Sequence, residues 1–186
     1  EFVHQHFPAE KKWSALETQI LPNMRPGGLG AFLDRFPDEE VLDRVARSLG
    51  EKRPADDFPG FVEELSNRSA QISSLAMERA LLNTIDHWSY RDPMALAEWA
   101  VHWSGSGART EEVRMHALER AISAMQETVD VETALSLFEK ITSKERRPTA
   151  ARALGSIFAN TDPVRGIKWA QSQEASVQAS ASEALV

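Results

Sequence analysis

The sequence predicts an all-α protein, a solenoid of antiparallel helix pairs stacked at a period of about 35 residues. Three observations carry this. Two Asp-Pro steps, Asp92-Pro93 and Asp162-Pro163, each lead into an apolar stretch, and each Asp precedes a Trp by seven positions. The two steps stand 70 residues apart, as do Trp99 and Trp169, which is two periods. Between them, apolar residues recur at three-and-four spacing, the mark of an amphipathic helix, and no alternating β-type runs occur.

The first 56 residues read as an N-terminal helical cap or segment. Trp13 to Ile20 is a candidate helix after Pro8, and Gly30 to Phe36 a short one. Asp38 to Leu49 is a third, capped by Asp38, stopped by Gly50, with Val41, Leu42, Val45 and Leu49 turned inward. Pro22, Pro26, Gly27 and Gly28 mark an irregular connection. The run Gly27-Gly28-Leu29-Gly30 lacks the preceding strand and the Lys-Ser/Thr of a phosphate-binding loop, so it reads as a turn.

From residue 57 to 186 the chain reads as tandem helix pairs. An Asp at a helix start accepts hydrogen bonds from orphan backbone N–H groups, and a Pro one place later gives up an N–H that would have no partner there. The Asp-Pro steps at Asp92 and Asp162, with the Asp caps that the period places at Asp57 and Asp130, start the first helix of each pair near 57, 92, 130 and 162. The second helices are Ile72 to Trp88, Val113 to Met125 and Ala150 to Phe158, in which Leu81, Leu118 and Leu154 recur at intervals of 37 and 36. A further one starts around Val177, Ala181 and Leu185. The links at Ser104 to Gly107, Thr142 to Lys144 and Gln171 to Gln173 are short and polar, which makes consecutive helices antiparallel neighbours. Each pair has an apolar face that it cannot bury alone, so the pairs are expected to stack. The chain opens on Glu1 and ends within a helical pattern, and is expected to be a fragment of a longer protein.

Composition narrows the function classes. Hydrophobic content of 42% with five Trp is that of a folding chain. A formal net charge of −7 argues against a general nucleic-acid binder, which carries a basic face. The absence of Cys removes disulfides, thiolate metal sites and Cys nucleophiles. No apolar run reaches the roughly 18–20 residues of a membrane span.

The period, the paired helices and the alternation of Ala with large apolar residues resemble the tetratricopeptide-like class of α-solenoids over residues 57–186. The order of signature residues differs from the usual tetratricopeptide: Asp-Pro opens the helix and Trp closes its second turn, a divergent arrangement similar to helical repeats in large bacterial proteins. The resemblance implies a right-handed α-α superhelix and a non-enzymatic scaffold that binds a peptide or protein segment on one solenoid face. A different class of function consistent with it is the helical accessory domain of a larger enzyme, such as a bacterial cell-wall hydrolase. Self-association through the repeats is a further expectation.

Candidate site residues follow from chemistry. Trp99 and Trp103 share a helix face; Trp99, which recurs as Trp169, reads as core, whereas Trp103 sits at a helix end and is a candidate partner anchor. The locally basic stretch Lys140, Lys144, Arg146, Arg147 and Arg152 is a candidate docking patch for an acidic segment; from it Lys144, Arg146, Arg147 and Arg152 join Trp103 as candidate binding residues. The five His (His4, His6, His87, His102 and His116) form no His-Glu-x-x-His motif, so no metal is expected. Gly-x-Ser-x-Gly is absent, and the adjacent acidic pairs Asp56-Asp57, Glu63-Glu64 and Glu111-Glu112 point to different helix faces. No catalytic residue and no cofactor are therefore expected.

Overall fold

The computed structural model describes residues 23–25, 27–35, 41, 44–45, 57–71, 75–104, 110–125 and 131–185. Among the described residues every regular element is helical: α1 (Leu29–Arg35), α2 (Phe58–Gln71), α3 (Leu75–Arg91), α4 (Pro93–His102), α5 (Thr110–Ala124), α6 (Val131–Glu139), α7 (Arg147–Thr161), α8 (Pro163–Gln171) and α9 (Ala175–Ala184). The expected helix over Trp13 to Ile20 and the Asp130 cap lie outside the described residues, as does most of Asp38 to Leu49; Val41 and Val45 are helical and buried.

The chain divides into two compact units, Glu1–His87 and Trp88–Val186. In the first, α1 packs on α2. Gly27, at φ 88°, occupies the left-handed region that favours glycine, and Gly28 N–H donates to Arg25 O at 3.0 Å, so the glycine run is the turn that leads into α1. Leu29 and Leu33 of α1 and Phe58, Phe61, Val62 and Leu65 of α2 are buried. Ion pairs tie the elements at the surface, Arg25 with Asp57 at 2.9 Å and Arg68 with Asp34.

The second unit shows why its helices start where they do. Asp92 accepts from Ala95 N–H at 2.9 Å, and Asp162 accepts from Arg165 N–H at 3.0 Å. The two caps have nearly the same backbone, φ −153° and ψ 83° at Asp92, φ −150° and ψ 81° at Asp162. Each Asp also closes the helix before it, since Asp92 N–H donates to Trp88 O and Asp162 N–H to Phe158 O. The Asp-Pro step thus joins the end of one pair to the start of the next with a single non-helical residue.

Packing in this unit joins helices one or two places apart along the chain. α4 packs on α5; α5 packs on α6 and α7; α7 packs on α6, α8 and α9; and α8 packs on α9. The stripes expected from sequence are buried: Val113, Ala117, Leu118, Ala121, Ile122 and Met125 on α5, and Ala150, Ala151, Leu154, Ile157 and Phe158 on α7. Two glycines set the closest approaches. A Cβ on Gly155 would lie 2.6 Å from the Ala181 carbonyl oxygen on α9, and one on Gly166 would lie 2.6 Å from Phe158 Cβ. The link between α6 and α7 is pinned to α5, with Thr142 N–H donating to Met115 Sδ at 3.2 Å and Thr142 Oγ1 to Glu111 Oε1 at 3.1 Å.

Candidate functional site: an open groove between α4 and α6

α4 is apolar on more than one face. Its ten residues include only Glu98 and His102 as polar side chains, so a single buried stripe cannot cover it. Leu96, Ala97 and Ala100 are buried, whereas Met94 remains 47% exposed and Val101 half-buried. These two bracket a groove of about 490 Å³ lined by Asp92, Met94, Ala95, Ala97, Glu98, Val101 and His102 from α4 and its cap, and by Thr133 and Leu137 from α6. That volume is in the range of ordinary ligand clefts. Both walls are first helices of successive pairs, held apart because each packs on α5 between them.

Among the described residues that line the groove, Asp92 and Glu98 supply carboxylates, and none is Lys or Arg. His102 turns Nδ1 to the Glu98 backbone carbonyl at 2.9 Å; a carbonyl only accepts, so Nδ1 carries hydrogen there.

At the end of α4 the candidate anchor Trp103 stacks on Trp99, with ring centroids 4.6 Å apart and planes inclined by 25°. Trp99 in turn tilts against Trp88 at 5.5 Å. Trp88 is the core member, only 1% exposed, and Trp99 and Trp103 are half-buried. Trp169 is also half-buried, edge-on to Phe138 at 5.3 Å and tilted on Phe158 at 5.5 Å. The expectation of Trp99 and Trp169 as core is therefore corrected to a half-buried position, in which Trp99 rests on Trp88 and Trp103, and Trp169 on Phe138 and Phe158.

The basic stretch is dispersed into separate internal roles. Arg146 reaches back across the link to α5, where Nη1 donates to Glu119 Oε2 at 3.0 Å and His116 Nδ1 at 2.9 Å. His116 and Glu119 are both buried, so Arg146 closes a polar cluster beneath the link. Arg147 lies 4.4 Å over the Phe138 ring and donates to Ile141 O at 2.9 Å. Arg152 pairs with Glu183 of α9 at 2.5 Å, with both side chains exposed. Lys144 is exposed in the link. The sequence does not reveal the partners of Arg146 and Arg152, which lie 27 to 31 residues away along the chain.

The other titratable groups also have structural roles. The Arg114 side chain, through its hydrogen bonds, holds the Glu111 carboxyl below the usual carboxylate range. The Glu132 carboxylate, by pairing with Arg165, raises the guanidinium above its ordinary value. His102 and His116 share no site, and His4 and His6 lie outside the described residues. Among the described residues no group of three or more His, Cys, Asp or Glu is arranged to hold a metal, and no helix is long and apolar enough to cross a membrane. The groove residues Met94 and Val101 had one sequence signal: they stand seven apart on α4, outside the Leu96-Ala100 stripe.

Comparison with family models, with curated proteins and with solved structures returns no match to this chain.

Proposed function

We propose that this chain is a non-enzymatic interaction scaffold, a tetratricopeptide-like right-handed α-α superhelix that holds a peptide or protein segment along the row of first helices. The groove between α4 and α6 is the observation that supports it: two first helices stand apart and leave apolar side chains open between them. The row continues on α8, where Val164 and Ile167 are 64% and 48% exposed at the positions that Met94 and Ala97 hold in α4. Trp103, at the end of α4, stacks on Trp99 and is not among the residues that line the groove. The basic stretch contributes less to this reading than its sequence suggests, because Arg146, Arg147 and Arg152 are engaged within the unit.

Site-specific crosslinking tests the proposal. A photoreactive residue replaces Met94, and a control chain carries it at Arg152, each exposed to source-cell lysate. A partner crosslinked from position 94, lost when Val101 becomes Lys and absent from the control, is the expected result. Equal crosslinking from both positions, or none from position 94, would remove the groove as a binding surface. A thermal melt of Val101→Lys checks that the variant remains folded.

A further inference from the structure

We infer that the segment bound by the α4–α6 groove is cationic and amphipathic: one or two large apolar side chains flanked by Lys or Arg. This rests on the scaffold reading of the groove and specifies its partner. The apolar requirement comes from Met94, Ala95, Ala97, Val101 and Leu137, which offer no hydrogen-bonding side chain to an inserted group. A polar group placed against them would lose water without gaining a partner.

The cationic requirement comes from the rim. Among the described residues, Asp92 and Glu98 are the carboxylates lining the groove, and no Lys or Arg lines it. They stand six residues apart along one helix, about 9 Å of axial rise. An extended segment covers that length in about three residues. The two carboxylates therefore favour a segment that carries Lys or Arg on either side of the apolar side chains that enter the groove. An acidic segment meets two like charges there. An acidic segment docked on the 140–152 stretch would compete with partners already in place, since its three arginines face carboxylate, carbonyl or ring groups within the unit.

Glu98 is exposed and is the residue to test; Asp92 is left intact because it caps α4. The probe is a random 12-residue peptide display library, selected on the full chain. Enriched peptides are measured by fluorescence anisotropy against wild type, Glu98→Lys and Val101→Lys, each with a thermal melt, and are compared with charge-reversed twins. The expected peptides carry Lys or Arg beside Leu, Ile, Met or Phe. Their binding weakens about five- to tenfold on Glu98→Lys, falls with added salt, and is lost on Val101→Lys. The charge-reversed twins gain on Glu98→Lys. Enriched peptides that are neutral or acidic, or that ignore Glu98→Lys, yet are lost on Val101→Lys, would overturn the cationic partner and leave the groove reading standing. No enrichment, or binding that survives Val101→Lys in a folded variant, would overturn both.

Discussion

A single side chain, repeated, organises the second unit. Asp92 and Asp162 adopt the same backbone and make the same cap, so each contributes in the same way to helix stability. Replacing either by Ala leaves an orphan N–H and should cost about 1 kcal/mol, read from urea denaturation. The tryptophans, though alike in sequence, are expected to differ: Trp88→Ala should cost about 3–5 kcal/mol because the side chain is fully enclosed, and Trp169→Ala roughly half of that because the residue is only half-buried. Glu111 gives a pH signature. Its carboxyl titrates below the ordinary 4.5 in the folded chain, so its contribution is complete above that value and is lost as pH falls through the lower folded value. Urea midpoints of wild type and Glu111→Gln should therefore differ near neutrality and converge in acid. A constant gap down to acid pH would remove the Arg114 contact as the cause.

Elements follow from local signals where those signals are strong. The sequence places first-helix starts at 57, 92, 130 and 162, and the helices begin at Phe58, Pro93, Val131 and Pro163. Caps and prolines act within one turn, which is why these starts can be read without knowing the fold. The second helix α7 runs from Arg147 to Thr161 against an expected Ala150 to Phe158, because polar residues at its ends remain helical up to the next cap. The roles of Arg146 and Arg152 could not be read. Their partners, Glu119 and Glu183, lie 27 and 31 residues away, and only packing of one helix pair on the next brings them together. The same packing explains the small residues on α7, α8 and α9. Gly155→Ala would press a methyl into the Ala181 backbone carbonyl and should cost about 1–3 kcal/mol; Gly166→Ala meets side-chain atoms of Phe158 and Leu185, which yield more easily, and should cost less. Equal and negligible costs in thermal melts would mean that α7 and α9 lie farther apart.

At the scale of the molecule, helices account for all regular structure among the described residues, as the periodicity leads one to expect. The stacking of pairs into a superhelix and its use as a scaffold form the proposed reading, and the groove between α4 and α6 gives that reading a location. The measurement that tests this most directly is hydrogen–deuterium exchange of the chain with and without a partner recovered by crosslinking at position 94. The account predicts new protection over residues 93–102 and 131–139, the two groove helices, with residues 144–152 unchanged. Protection centred on 144–152, with the groove helices unaffected, would contradict it.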